Sequence, residues 1–469
     1  MKKRRIAALI MAAAMGIASL AGCGGDAPAQ DAQAESEDGG NDKSAAADGQ
    51  QDAGQAGEKQ AGNGQDADGE KIELTLMGGA HLVSVAEIVL KDYLAEHPNI
   101  KINSEKYSYA EYPTKMKLQL SNNESTPDIM IIHDLYTPQF AKAGYLEDLS
   151  GMVNEGDILP VTAPATVDGK LYGLPNQVTN QYVYLYRQDI YEQEGLTPPA
   201  TFDEYYDQGL KLKEKGYFVG AFDPSDPKCY LTFSYFVYML GGEILDNNGN
   251  VSLNKGTEAL ELMKKCNDAG IWHTSQLAES EAYWTAFNAG KIAAFPAVAA
   301  HAAYYETNVD PAGDGGYGQL AMAAPMKFAE DGRTTFINNT EYYAINKNTE
   351  HLDAAKDVVA YLALSEEAAL KFANVNEDGV MAQFATGSMA GIEAIVNGNT
   401  EGWKAYGDAK IVAELADMLL ETDPDIPFVD ERSNEINTII SEVVGEMFLN
   451  GAYTPEEAVE EMKKRIDNI

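Results

Sequence analysis

The stretch LYGLPNQVTNQYVYLYR, residues 171–187, gathers hydrogen-bonding side chains where a buried strand has no need of them. Asn176, Gln177, Thr179, Asn180 and Gln181 precede Tyr182, Tyr184 and Tyr186, which alternate with Val183 and Leu185. The second half reads as a strand apolar on both faces. An amide donates and accepts at once, so a row of them suits the grip of a polar molecule or of a hinge backbone. Two other strand ends collect similar chemistry. Gly78, Gly79 and His81 follow KIELTLM, and His133, Asp134 and Tyr136 follow PDIMII. Glycine lets backbone approach a bound molecule, and open α/β sheets take ligands beyond the carboxyl ends of their strands.

Bond-making chemistry has no comparable signature. The chain lacks GxxxxGK[ST], HExxH, GxSxG and CxxC. Gly313-x-Gly315-x-x-Gly318 matches a dinucleotide fingerprint in letters only, because it precedes the predicted strand QLAMAAP instead of following one. Asn374-Val-Asn376-Glu-Asp378-Gly379 resembles half a calcium loop, with Asn at position 1 and Ala385 at position 12 where Asp and Glu are required. Whether an ion binds there stays open. No cofactor or metal is implied. Carboxylate pairs of the glycosidase kind are plentiful, but a chain this acidic supplies them by chance.

The elements that must position these groups follow from periodicity. KIELTLMGG, IKINSEKY and PDIMIIH read as strands, the last apolar throughout as central parallel strands are. Leu82–Glu96 and Lys115–Leu120 have helical spacing between them, and His97-Pro98-Asn99 stops the first. This alternation predicts an α/β sheet. Thr201-Phe-Asp-Glu204 and Thr454-Pro-Glu-Glu457 read as capping boxes. Helices are expected near 203–215, 256–269, 279–289, 352–363, 366–373, 434–449 and 455–467.

The ends of the chain differ in kind. Lys2, Lys3, Arg4 and Arg5 precede an apolar run, Ile6–Leu20, too short to span a bilayer, and Leu20-Ala21-Gly22-Cys23 follows. Residues 1–22 therefore read as a signal peptide. Residues 24–70 contain no Val, Ile, Leu, Met, Phe, Trp or Tyr and carry twelve acids against two lysines. Nothing there offsets the entropy of ordering, so 23–70 is expected to be a disordered tether of about 40 Å reach. Of the formal charge of −39, about −33 remains on residues 71–469. That balance argues against a nucleic-acid partner and against electrostatic docking on anionic lipid, while leaving room for a locally basic pocket. Cys229 and Cys266 are too few for a disulfide framework, and whether they pair stays open.

A series of segments, in order, resembles the extracellular solute-binding proteins of ABC importers, family 1, the maltose-binding-protein-like group. They are YPTKMKLQLSNNESTPDIMII with QFAKAGYLEDLS, DGKLYGLPNQ with LYRQDIYEQEGLTPPATFDEYYDQGLKL, AFNAGKIAAF, YYAINKNTEHLDAAKDVVAYL, and DIPFVDERSNEINTIISEVVGEMFLNGAYTPEEAVEEMKKRI. Arg187 and Gln188 depart from the family's usual Asn-Lys. LAGC resembles the bacterial lipobox, in which Cys23 carries the lipid.

The resemblance implies a two-lobed α/β fold of the periplasmic-binding-protein type II, with a ligand cleft between lobes and several hinge crossings. Residues 71–175 and about 338–385 would form the N-terminal lobe, and 176–337 and about 386–469 the C-terminal lobe. The implied ligand contacts are Gly79, His81, His133, Asp134, Tyr136, Asn176, Asn180, Gln181, Tyr182, Trp284, His301, Asn338, Asn339, Asp430 and Arg432. Several have a plainer reading: Asp134 as a helix cap, Tyr182 and Trp284 as core, the amides as hinge ties, and Asp430–Arg432 as an internal ion pair. Amides, carboxylates and aromatic faces together suit a sugar, whose hydroxyls donate and accept and whose C–H faces stack.

The function so implied is non-enzymatic. A monomeric lipoprotein, anchored on the extracytoplasmic face of the bacterial membrane through Cys23, would bind a sugar or oligosaccharide by hinge closure and deliver it to permease subunits. A different solute (polyamine, peptide or amino-sugar derivative) and an extracellular carbohydrate-active enzyme are the alternatives. Deleting residues 24–70 while keeping Cys23 on the body is expected to leave ligand affinity unchanged by calorimetry. A large loss would show that the tether takes part in binding.

Overall fold

The computed structural model describes residues 70–469 except 109–110, 123–125, 179–180, 279, 338–339, 378–379, 382–386 and 422–425. The leader, Cys23, the tether, Asn180, Asn338 and Asn339 lie outside the described residues.

Alternating burial makes KIELTLMGG the strand Ile72–Gly79, with Leu74 and Leu76 on one side and Met77 on the other. The helix Ala80–Glu96 follows at once, two residues earlier than its apolar spacing predicts, and buries Val83, Ala86, Val89 and Leu90 against the sheet. The amphipathic helix expected over 115–120 extends over Tyr112–Asn122.

Five strands form the first sheet, in the order Ile100–Tyr107, Ile72–Gly79, Ile129–His133, Glu341–Ile345 and Leu174–Gln177. The first three are parallel. Glu341–Ile345 runs antiparallel to both its neighbours, placing Glu341 opposite His133 on one side and Gln177 on the other. A second, antiparallel sheet has Tyr182–Arg187 at its centre, between Ala294–Val298 and Leu320–Ala323. The chain passes from the first sheet to the second between Gln177 and Tyr182 and returns between Ala323 and Glu341.

Both faces of Tyr182–Arg187 are covered, as its composition predicts. Tyr182 and Tyr184 enter one core with Phe233, Phe236 and Met263, while Val183 and Leu185 enter another with Phe287, Phe295 and Tyr305. The Tyr184 and Tyr191 hydroxyls meet at 2.7 Å, so their buried oxygens are not left unpaired. Cys229 and Cys266 are free and buried. Burial pushes the Cys229 thiol up to about 11 and raises Cys266 further, so neither is a ready nucleophile.

The Arg187 departure has a structural role. Its buried guanidinium forks onto Asp189 at 2.8 and 2.6 Å and donates to the Asp314 carbonyl at 2.8 Å. Gly316, at φ +75°, lies against that guanidinium, and a Cβ there would fall 2.0 Å from Nε. Gly313 and Gly315 press on Asn288 in the same way. Two of the three GxGxxG glycines, Gly313 and Gly315, and their neighbour Gly316 therefore serve close packing in this loop, ahead of the strand Leu320–Ala323 as expected.

Thr454 forms both halves of its capping box, accepting from Glu457 N while the Glu457 carboxylate accepts from Thr454 N at 2.8 Å. Thr201 forms one half only. Its hydroxyl accepts from Glu204 N, but the Glu204 carboxylate takes the amide of Ala200 instead, one residue outside the box. Thr454→Ala is expected to cost about 1 kcal/mol of stability in urea denaturation. An unchanged midpoint would mean that the cap contributes nothing to the last helix.

Candidate functional site

The strand ends of the first sheet face the second lobe across a cleft of about 1010 Å³. One wall carries Gly79, His81, Tyr107, Ser108, His133 and Glu341. These are the carboxyl ends of three parallel strands plus the first residue of the strand that runs against them. The opposite wall comes from three places: the loop and helix start with Asp223, Asp226, Lys228 and Tyr230; the segment Trp272 to Gln276; and the helix His301–Asn308. His301, Tyr304 and Thr307 are three residues apart, so one face of that helix borders the cleft. Tyr304, at 45% exposure, stacks beside His301 with ring centroids 5.5 Å apart.

Five expected ligand residues line this cleft: Gly79, His81, His133, Tyr182 and His301. Tyr182 is also core, stacked on Tyr235 at 4.2 Å and against Phe336 at 4.6 Å.

Other expected residues have different work. Asp134 lies in the turn just past the strand Ile129–His133, outside the lining of the large cleft. It borders a recess of about 40 Å³, and its Oδ2 accepts the Thr340 amide at 2.9 Å. Asp134 N donates in turn to the Thr340 carbonyl at 2.9 Å, so this residue ties the chain's return crossing. Tyr136 caps the helix Thr137–Lys142, its ring edge-on to His133 at 6.4 Å, outside the cleft lining. Asn176 is buried within Leu174–Gln177 and does not reach the cleft. The Gln181 carbonyl accepts from Ala299 N at 2.8 Å, and its side chain turns toward Met418, 3.9 Å from Sδ. Trp284 packs on Tyr305 and Phe287 at 5.1 and 5.8 Å; the face of its helix that meets this aromatic cluster is a core face. Asp430 and Arg432 form an internal pair at 2.7 Å, and Arg432 also donates to the Gly249 carbonyl, so they join two loops outside the cleft. The calcium-like stretch begins with Asn374, whose side chain bonds backbone at Leu370, Asn399 and Glu401; Asp378 and Gly379 lie outside the described residues.

Glu341, Tyr235 and Trp272 are lining residues that sequence reasoning missed. Trp272 is held rigidly. Its indole N–H donates to the Tyr205 hydroxyl at 2.7 Å, which donates to the Val219 carbonyl at 2.8 Å. Gly220 lies beneath it, where a Cβ would be 2.8 Å from the indole Cδ1. The Tyr235 hydroxyl is buried among rings, and no protein group among the described residues bonds it.

His133 is a buried imidazole of the first wall. Its backbone N–H donates to the Tyr112 hydroxyl at 3.3 Å, and its Nδ1 lies 2.7 Å from Asp134 Oδ1. Burial alone lowers an imidazole, but Asp134, with Glu341 adding to it, raises this one above its usual range. A raised histidine adds stability that is fully present below its unfolded value and lost as pH rises through the folded one. The stability difference between wild type and His133→Gln is therefore expected to be larger at pH 6 than at pH 8 in urea titrations. A gap that widens with pH would place the proton elsewhere.

A family model described as bacterial extracellular solute-binding protein matches residues 79–369. An uncharacterized ABC transporter extracellular-binding protein of Pyrococcus horikoshii is 31% identical over 140 residues, 29% of this chain and 33% of that protein. The arabinooligosaccharide-binding protein of Halalkalibacterium halodurans is 24% identical over 314 residues, 62% of this chain and 66% of that protein. The matched stretches thus span less than two thirds of either relative's length. Among solved structures, the galacto-N-biose/lacto-N-biose I-binding protein of Bifidobacterium longum, in complex with lacto-N-biose, superposes with a TM-score of 0.68 at 17% identity. It covers 85% of this chain and 97% of its own. That likeness carries the two-lobed fold.

Proposed function

The chain belongs to the bacterial extracellular solute-binding proteins, and from this premise we propose that it captures a sugar or oligosaccharide and hands it to the permease of an ABC importer. The observation that carries the sugar reading is the lining of the cleft. Aromatic rings at Tyr107, Tyr230, Trp272 and Tyr304 stand among hydroxyl, amide and carboxylate groups at Ser108, Gln276, Asn308 and Glu341. Rings pack on the C–H faces of a pyranose, and the polar groups take its hydroxyls. A site so built discriminates by hydroxyl pattern, since a missing hydroxyl leaves a protein group unpaired.

Capture proceeds by closure about the crossings, which bring the His133–Glu341 wall onto the helix His301–Asn308. Delivery from the membrane follows from the LAGC end of the leader. A lipid on Cys23 and the acidic tether hold a monomeric body near its permease. The protein performs no chemistry on its solute; His133 and the carboxylates of the cleft serve recognition.

A second solute class, a polyamine or a cationic peptide, is favoured by one observation. Among the described residues, Asp223, Asp226 and Glu341 line the cleft against one lysine, Lys228. Thermal shift across a panel of neutral mono- and oligosaccharides, spermidine and short peptides decides between them. Saturation at about 100-fold above Kd is expected to add roughly 2.7 kcal/mol for a neutral saccharide, with the saccharide recovered intact by mass spectrometry. Stabilisation by spermidine or peptide alone would overturn the sugar reading, and cleaved saccharide would overturn the non-enzymatic one.

A further inference from the structure

We infer that the cleft has a second compartment, an aromatic recess in the second lobe that takes the N-acetyl group of an amino sugar, with the Tyr235 hydroxyl donating to the acetyl carbonyl. The inference rests on the sugar reading above and names the class of sugar.

The recess follows from the helix Tyr230–Met239. Its sequence, YLTFSYFVYM, is apolar on nearly every side, and a helix of that kind is buried all round. Leu231 and Tyr235, one turn apart, reach the cleft lining together with Phe236. Around them the lining is drawn from the core itself. Tyr205, Phe222, Tyr235, Phe236, Trp272 and Phe328 all border the cleft, yet each is 9% exposed or less. Their rings touch in series. Tyr235 meets Phe328 at 5.4 Å between centroids, and Phe328 meets Phe236 at 4.8 Å. Phe236 meets Trp272, and Trp272 meets Phe222, each at 5.7 Å. A lining so withdrawn from water is the floor of a pocket. It leaves no open platform on which a whole pyranose face could lie.

The polar atoms of this floor are engaged by the protein, apart from one. The Tyr205 hydroxyl accepts from the Trp272 indole and donates to the Val219 carbonyl. The Cys229 thiol, also in the lining, donates to the Ser441 carbonyl at 3.4 Å. The Tyr235 hydroxyl has no such partner among the described residues. Burial raises its proton affinity further, so it stays protonated and is a donor. A sugar hydroxyl set among these rings would give up its hydration for little in return, and an ammonium would give up more. The group that fits is mostly apolar and carries one acceptor. An acetamido group has that make-up. Its methyl packs on the rings, its carbonyl accepts from Tyr235, and its N–H, next to the pyranose, stays at the mouth of the recess. The recess therefore separates an acetylated amino sugar from both its hydroxyl and its free-amine counterparts.

The test uses the full chain and matched sets of disaccharides that differ only at C2 of one unit, which carries a hydroxyl, an ammonium or an acetamido group. The sets are α- and β-linked disaccharides of glucose and of galactose. In calorimetry, the acetamido member of the tightest-binding set is expected to exceed its hydroxyl partner by roughly 30-fold, the combined effect of one buried methyl and one hydrogen bond. The ammonium member is expected to bind more weakly than either. Tyr235→Phe removes one oxygen and keeps the ring. It is expected to narrow the acetamido-to-hydroxyl ratio to roughly 5-fold, while the melting temperature of the ligand-free protein stays the same or rises. The ratio is taken within one protein sample, so differences in active fraction cancel. Equal wild-type affinity for the acetamido and hydroxyl members, or a ratio that Tyr235→Phe leaves unchanged, would overturn the assignment. A lower melting temperature of the ligand-free variant would give the hydroxyl to the fold, through a bound water, and overturn it as well. Failure of every member of every set to bind would instead overturn the sugar reading on which the assignment rests.

Discussion

One strand running the wrong way organises this molecule. Glu341–Ile345 is inserted antiparallel between Ile129–His133 and Leu174–Gln177. Had it been parallel, its first residue would lie at the far edge of the sheet, and the chain would re-enter on the side away from the cleft. Running antiparallel, it re-enters at the carboxyl ends of the parallel strands, beside the point where Leu174–Gln177 departs. These two crossings therefore lie at one edge of the sheet, and the mouth of the cleft lies there too. The exchange of backbone bonds between Asp134 and Thr340, with the carboxylate of Asp134 added, fixes that return at a buried point beside the sheet.

The second sheet answers this with depth instead of area. It has three strands, and its central one is covered on both faces by aromatic clusters. Tyr184 with Tyr191, and Tyr283 with Tyr305 at 2.5 Å, pair their hydroxyls inside those clusters. Tyrosine thus fills volume as phenylalanine would and still satisfies its oxygen. Arg187, anchored on Asp189 and Asp314 with glycine beneath it, closes the end of the same strand.

Much of this was legible in the residues. Period-two patterns located Ile72–Gly79, Ile100–Tyr107, Ile129–His133 and Leu320–Ala323, and the tyrosine alternation at 182–186 read as a strand apolar on both sides; period-3.6 patterns located many of the helices, but the strands Leu174–Gln177, Ala294–Val298 and Glu341–Ile345 and the helices Tyr230–Met239 and Ile411–Glu421 were not read. The site was legible only in part, for reasons that can be named. His133 and Asp134 are adjacent and both polar, but His133 ends the strand at the cleft while Asp134, in the turn beyond it, ties the return crossing. Trp284 has the composition of a ligand platform and the spacing of a core residue, and spacing won. Glu341 gave no signal: an acid before YYAI reads as a strand end in solvent unless the direction of that strand is known. Trp272 is brought to the cleft by the long-range pairing of Ala221 with His273, which no local pattern records.

The clamp on Trp272 has a practical consequence. The protein has three tryptophans. Trp284 and Trp403 pack in the core around Tyr305 and Tyr406, and Trp272 alone borders the cleft. Its ring cannot swing, being bonded to Tyr205 and seated over Gly220. The molecule thus carries its own optical reporter: a single fixed indole whose surroundings change when the cleft fills, against a background of two that do not.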